Sequence, residues 1–337
     1  MGVEQGKGPG SWPVRRRGFL FSGLALVGLP APGQAGPPRH PGLLVANPVG
    51  GRLDRWAEPI SAMVGRGFPA HLPLSRSNLG GLDGVTGANG FEARVEPDGS
   101  TALLVPGAAT LSWLVGETRA RFDPARWLLL WATTAPAVLV SRVQPRAGSS
   151  LLIAASGPVG AELPALLALD LLGVRAMLTT TAQDADAVFL QGSDLATSLK
   201  AAASRGMNPV LTLGQVGADG GLGRDPLLPT VPSAVELVDG RASPRLLLGL
   251  LAACLAAQLD TGLILPQLTP ADTVATWRRA CQPLLQDSGT LAEAGRTGVR
   301  MLPATTASAY LGRIAGDADV LLGIREWLAT RFNYRPT

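Results

Sequence analysis

The chain has 337 residues, 46% of them hydrophobic and 16% charged, which is too apolar for disorder and long enough for two ordinary domains. Its 42 glycines and 28 prolines fall short of low complexity and read as turns between many short elements, which excludes collagen and coiled coil. Four of the 29 basic and one of the 25 acidic side chains lie in the first 35 residues, leaving 25 against 24. So balanced a remainder offers no clustered basic face for phosphate backbones and argues against nucleic acid as a partner.

In chain order, the first segment reads as an address. Arg15, Arg16 and Arg17 precede an apolar run over 18–29, and small residues with prolines follow over 30–36. This is a basic n-region, a short h-region and a cleavage zone. The run is shorter than the roughly 20 residues a membrane span requires, so residues 1–35 are expected to be removed after Ala35. The mature protein is then expected in the periplasm and not itself transmembrane. Arg16-Arg17-Gly18-Phe19-Leu20 is similar to the twin-arginine pattern; a general secretory signal and an uncleaved anchor are the alternatives. Residues 36–42, with three prolines, read as a tether.

Beyond it, short β-branched or leucine-rich runs alternate with helix-length amphipathic stretches, which predicts an α/β fold built on mostly parallel sheet. Strands are expected over 43–46, 102–105, 137–141, 151–155, 176–179, 187–190, 209–213 and 262–265. Leu53, Trp56, Ile60, Met63 and Val64 mark the apolar face of the first helix. Pro59 lacks the amide that would bond back to Arg55, so the regular helix should begin near Glu58 or kink there. The apolar stretch 246–257 has the length of a core helix. Thr269 is expected to cap a helix with Pro270 at its first position. The last two helices, near 306–315 and 317–332, carry Tyr310 and Trp327 as packing residues.

Chemistry is best placed in the first βα turn, where Asn47-Pro48-Val49-Gly50-Gly51-Arg52 follows a strand and opens a helix. At the carboxyl edge of a parallel sheet this offers unpaired amides and the positive end of a helix dipole to an anion. An ordinary turn with Asp54 stabilising the helix start is the alternative. The glycine-rich stretch 78–90 lacks the preceding strand and spacing of a dinucleotide loop, 217–223 reads as a surface loop, and no Walker pattern exists. His40 and His71 are the only histidines, and neither adjoins a nucleophile elbow, so a hydrolase would need an unusual base. Cys254 and Cys281 sit in apolar stretches as buried free thiols or a single disulfide. No cofactor or metal is expected.

The linear order of several pieces resembles the Bug family, the periplasmic solute receptors of tripartite tricarboxylate transporters. Residues 48–57 are similar to the family's Pro-x-Gly-Gly-x-x-Asp-x-x-Ala opening. Gly84-Val85-Thr86-Gly87-Ala88 looks like the end of its glycine-rich loop, Pro97-Asp98-Gly99 its Pro-Asp-Gly turn, and Phe122-Asp123-Pro124 its Tyr-Asp-Pro. Residues 225–233 and 262–270 are similar to its Leu-Pro-Asp-Val-Pro-Thr-Val-Ala and Gly-Leu-Leu-Ala-Pro-x-Gly-Thr-Pro segments. Asn78-Leu79-Gly80 replaces the family's Asn-Arg-Pro, the usual Pro-Tyr-x-Gly-Gly loop is missing after Val174, and a leucine-rich segment is added between Arg241 and Gln258.

The resemblance implies a two-lobed periplasmic binding protein-like fold, each lobe a mostly parallel sheet flanked by helices. Lobe 1 would span 36–141, lobe 2 142–261, and 262–337 would return to lobe 1. It implies a non-catalytic receptor holding a small organic acid between the lobes and presenting it to membrane permease subunits. The expected binding residues are Val49, Gly50, Gly51, Arg52 and Asp54 at the first turn, Thr86, Gly87, Gly107 and Ala108 beside it, and Ser156 and Gly157 from the second lobe. Arg52 would add a charge-assisted contact or stand as a solvated arginine. Two rival readings remain: a degenerate receptor-like module acting as a sensory or partner-binding subunit, with its cleft filled by 246–257, and a periplasmic hydrolase using His71.

Overall fold

A computed structural model describes residues 1–2, 40–69, 71, 73–192, 194–217, 221–238, 240 and 242–336. The address, its cleavage point and most of the tether lie outside the described residues. Lobe 1 opens with β1 (Gly42–Val45), α1 (Arg52–Arg66), β2 (Ser75–Asn78), α2 (Val85–Arg94), β3 (Thr101–Val105), α3 (Gly107–Leu114) and β4 (Trp127–Thr134). The chain then crosses into lobe 2: β5 (Ala137–Ser141), β6 (Ser150–Ala154), α4 (Leu163–Leu171), β7 (Arg175–Thr179), β8 (Ala187–Gln191), α5 (Leu195–Ala203), β9 (Asn208–Thr212), β10 (Gln215–Val216), β11 (Leu222–Gly223), α6 (Ala234–Val238) and α7 (Pro244–Gln258). It returns through β12 (Leu259–Pro266), α8 (Ala271–Ala280), α9 (Ser288–Thr297), β13 (Arg300–Leu302), α10 (Ala304–Ala315) and α11 (Ala318–Phe332).

The first sheet has the order β13-β4-β12-β3-β1-β2 and the second β7-β6-β8-β5-β9. In the first, β1 to β4 share a direction and β12 and β13 run against them. In the second, β6 to β9 share a direction and β5 opposes them. The two-lobed α/β architecture is the one the sequence implied, but each sheet is mixed. The reason is topological: β5 and β12 are the strands by which the chain crosses between lobes, and each pairs antiparallel to the strands on both its sides. Because β5 pairs with β8 and β9, the crossing falls at Ala135 and Pro136, ahead of the expected boundary at Ser141.

All eight expected strands are present, the last extended to Leu259–Pro266. The sequence reading omitted β2, an exposed edge strand with no apolar alternation, the buried run of β4, and short β13. Of the stretch 217–223 expected as a surface loop, Leu222 and Gly223 form β11, which pairs antiparallel with β10 just before the stretch.

Helix α1 runs from Arg52 through Pro59 without restarting at Glu58. Pro59 and Arg55 both lie on the exposed face, where the carbonyl freed by the proline is open to solvent rather than buried, while Leu53, Ala57, Ile60 and Val64 bury the opposite face. Thr269 does not cap α8. Its hydroxyl donates to the Pro266 carbonyl at 2.8 Å, and the helix starts at Ala271 after Pro270.

One core covers the outer face of the lobe 1 sheet, where Phe68 meets Trp277 edge to face at 4.9 Å. A larger core runs through both lobes, and α7 is its axis. Ser243 caps this helix and Pro244 begins it. It packs against α3, α10 and α11 of lobe 1 and against α4 and α6 of lobe 2. Leu250 and Leu255 are fully buried, each stabilising the fold by about 1.5–3 kcal/mol. Tyr310 and Trp327 are buried as expected. Cys254 and Cys281 are free thiols in separate cores, so the disulfide alternative is not realised.

Candidate functional site

Because β1 and β3 are parallel neighbours, the turns after them emerge together at one sheet edge and aim the first turns of α1 and α3 the same way. Parallel β6 and β8 do the same for the β6–α4 and β8–α5 loops of lobe 2. A cleft of about 990 Å³ lies between these edges. Lobe 1 contributes Arg52, Arg55 and Trp56 of α1, Leu82 of the β2–α2 loop, and Gly107 and Ala108 of α3; lobe 2 contributes Val159, Gly160 and Ala161 before α4, Gln191 at the end of β8, and Gly192 and Asp194 after it. The crossing segments supply Ala135, Ala257 and Asp260, and α9 supplies Glu293 and Arg296.

Charge inside the cleft is organised by pairing. Arg52 donates to the carboxylate of Asp260, and a second nitrogen reaches the Asp260 main-chain oxygen at 3.4 Å. Asp260 is 6% exposed against 54% for Arg52, and its other oxygen accepts from the hydroxyls of Thr133 at 3.1 Å and Thr261 at 3.2 Å. On α9, Arg296 grips Glu293 through two hydrogen bonds of 2.9 and 2.6 Å. The Arg296 hydrogen bond holds the Glu293 carboxyl below its usual range. Hydrogen bonding to Glu293, assisted by the charges of Glu293 and Asp194, pushes Arg296 up. Among the described residues no group of His, Cys, Asp and Glu side chains is arranged to hold a metal ion.

The structure brings three of the eleven expected binding residues into the cleft: Arg52, Gly107 and Ala108. Arg52 is ion-paired with Asp260 there while more than half of its side chain stays exposed to solvent. Gly107 is required because a Cβ would collide with the carbonyls of Ala256 and Leu259. Val49 and Gly50 are exposed outside the cleft lining. Gly50 takes a left-handed φ of 76° and donates its amide to Asp54 at 2.8 Å; Asp54 also accepts from Asn78 at 2.8 Å. These two hydrogen bonds, Gly50 first, hold the Asp54 carboxyl below its usual range.

Asp54 thus braces the turn through the Gly50 amide, and Gly51 lies outside the cleft lining. Thr86 is exposed on α2, and Gly87 is buried against Ala46 and the Leu79 carbonyl. Ser156 and Gly157 lie in the correct loop but ahead of its cleft-lining part.

Sequence reasoning missed Arg55, Asp194 and the α9 pair. Gly192, at the carboxyl end of an expected strand, was a legible signal for the β8–α5 loop. His71 is exposed, with Nδ1 2.7 Å from the Arg66 carbonyl oxygen and outside the cleft lining. The cleft is not filled by α7, of which only Ala257 reaches it. Among the described residues no helix is long and apolar enough to cross a membrane.

No protein-family model and no curated protein sequence matches the chain. Solved structures do. A TctC solute binding protein from Polaromonas has a TM-score of 0.62 at 15% identity, over 85% of this chain and 99% of that one. MatC from Rhodopseudomonas palustris, solved with bound malate, has a TM-score of 0.52 at 19% identity, over 84% and 99%. The periplasmic binding protein BugD has 0.50 at 18%, over 88% and 98%. At such identities the likeness establishes architecture: the chain has the two-lobed fold of TctC- and Bug-type solute-binding proteins.

Proposed function

We propose that this chain is a divergent Bug-type receptor, exported and non-catalytic, which holds a small carboxylate-bearing solute between its lobes and delivers it to membrane permease subunits. The observation that carries the reading is the cleft of about 990 Å³ between the carboxyl edges of two sheets, in a fold shared with a protein solved with malate. Its volume lies at the upper end of the 300–1,000 Å³ typical of small-molecule sites. The solute's carboxylate is assigned to the first turn of α3 at Gly107 and Ala108 with Arg55 beside it, and the facing contacts to Gly160 and Ala161. This moves the anion site from the Gly50 amide, which Asp54 already occupies.

Titration calorimetry of the mature chain with mono-, di- and tricarboxylates tests the reading. Heat is expected from at least one compound bearing a carboxylate, and silence across the panel would overturn it. The export step is tested separately by intact mass: protein recovered from the periplasm is expected to begin at Gly36, by the twin-arginine route.

The core shared by both lobes around α7 favours a second reading, a rigid receptor-like module that binds a protein partner. Small-angle scattering separates the two, because the receptor contracts when solute is added and the rigid module does not.

A further inference from the structure

Resting on the receptor reading above, we infer that the solute is a zwitterion with its carboxylate and its amine at separated ends, of the ω-amino acid class. Among the described residues the cleft carries six ionised side chains, three of each sign, and they fall into two groups. In the first, Asp260 is consumed by Arg52 and by two threonine hydroxyls. Neighbouring Arg55 is exposed and has neither an ion pair nor a side-chain hydrogen bond among the described residues. This group carries +1. The α3 helix adds to it, since Gly107 packs on the carbonyl of Leu259, next to Asp260, and a helix start is electropositive.

In the second group Arg296 commits two nitrogens to Glu293. Asp194 at the start of α5 is exposed, near enough for Arg296 to feel its charge, and makes no ion pair of its own among the described residues. This group carries −1. Trp56 lies between the two groups: it lines the cleft with Arg52 and Arg55 and shares a side groove with Glu293.

A site with no net charge but two opposed ends discriminates by complementarity. A dicarboxylate set with one end at Arg55 brings its other end against Asp194, where like charges repel. A zwitterion satisfies both ends, and its carbon spacer covers the Trp56 indole. The unpaired charges belong to opposite lobes, Arg55 on α1 and Asp194 at the start of α5, so a ligand with its two charges at separate ends suits them better than one whose charges share one carbon.

The experiment is calorimetry of the mature chain with 4-aminobutyrate and 5-aminopentanoate against glutarate, pentanoate, pentylamine, malate and glycine. The ω-amino acids are expected to bind at least about tenfold more tightly than glutarate or glycine. Asp194→Asn should weaken them by about tenfold while glutarate holds or gains, Asp194→Lys should reverse the preference, and Arg55→Gln should weaken both. Both positions are exposed, and unchanged thermal melts confirm that the variants fold.

Binding of glutarate or malate without the ω-amino acids would overturn this inference and leave the receptor reading standing. Equal binding of glycine would overturn the separated ends. No heat from any of these compounds, nor from the tricarboxylates of the titration proposed above, would remove the receptor reading itself.

Discussion

Arg52, in the first turn of α1, and Asp260, at the start of β12, form an ion pair within the cleft although 208 residues separate them. The pair ties the β1–α1 turn to the strand by which the chain re-enters lobe 1. It also neutralises the arginine that the sequence offered as an anion contact. Asp260→Asn is therefore expected to release Arg52 and raise glutarate affinity by about tenfold, the size of one charge-assisted hydrogen bond. Arg52→Ala leaves Asp260 with only its threonine partners and should cost about 1–3 kcal/mol of stability. Calorimetry and denaturant titration read the two effects; unchanged glutarate binding in Asp260→Asn would mean that Arg52 does not reach the solute.

An ion pair that does cross between the lobes is more deeply buried. Arg300 of β13 reaches Asp225, in the loop before α6, at 2.6 and 3.5 Å, with Asp225 only 2% exposed. Asp225 also accepts from the Leu227 amide at 2.9 Å. Arg300→Met strands a buried carboxylate and is expected to destabilise by about 3–5 kcal/mol. Adding Asp225→Asn keeps an acceptor for Leu227, removes the charge, and should recover most of that loss. A double variant no more stable than the single one would show that the pair's packing matters more than its charge.

The central strands and the α7 core were legible because continuous apolar runs of strand or helix length fix burial locally. Strand β2 was not, since its Ser-Arg-Ser-Asn sequence has no buried face and is held by backbone pairing to β1. The same division applies to the site. Gly107 and Ala108 follow an expected strand and could be read, whereas the pairing of Arg52 with Asp260 depends on β12 inserting between β3 and β4. The Gly50 amide looked available until Asp54, four residues on, turned back onto it. Side-chain direction, not residue type, decided that position.

Cys254 and Cys281 give a test of the core independent of any ligand. Both are buried, Cys254 in the core around α7 and Cys281 in the core of lobe 1. Desolvation pushes the Cys281 thiol up to about 12 and raises that of Cys254 as well. At pH 8 neither supplies a reactive thiolate. A disulfide-exchange reagent is expected to find no reactive thiol in the native protein and two after unfolding, with thermal melts unchanged by reductant. Rapid labelling of the native state would mean that one of these cores opens.

Glu162, which precedes α4 beside cleft-lining Gly160, makes the fold's stability depend on pH. Burial of its carboxyl raises its pKa above the usual range, an effect larger than the opposing hydrogen bond from its own amide. An acid whose folded pKa exceeds its unfolded value binds more protons in the native state. It therefore costs stability above the folded pKa. The cost shrinks as pH falls through that value and vanishes below the unfolded pKa of about 4.3. Glu162→Gln removes the charge at nearly constant volume, so the variant should melt higher than the parent at pH 7, with the advantage fading on acidification and absent near pH 4. The depressed pKa of Asp54 acts in the opposite sense, since its stabilisation is complete above about pH 4 and is lost below it. The difference between Glu162→Gln and the parent, measured across pH 4–8 by thermal melts, cancels that background. A difference that stayed constant over the range would show that the carboxyl is solvated in the native state.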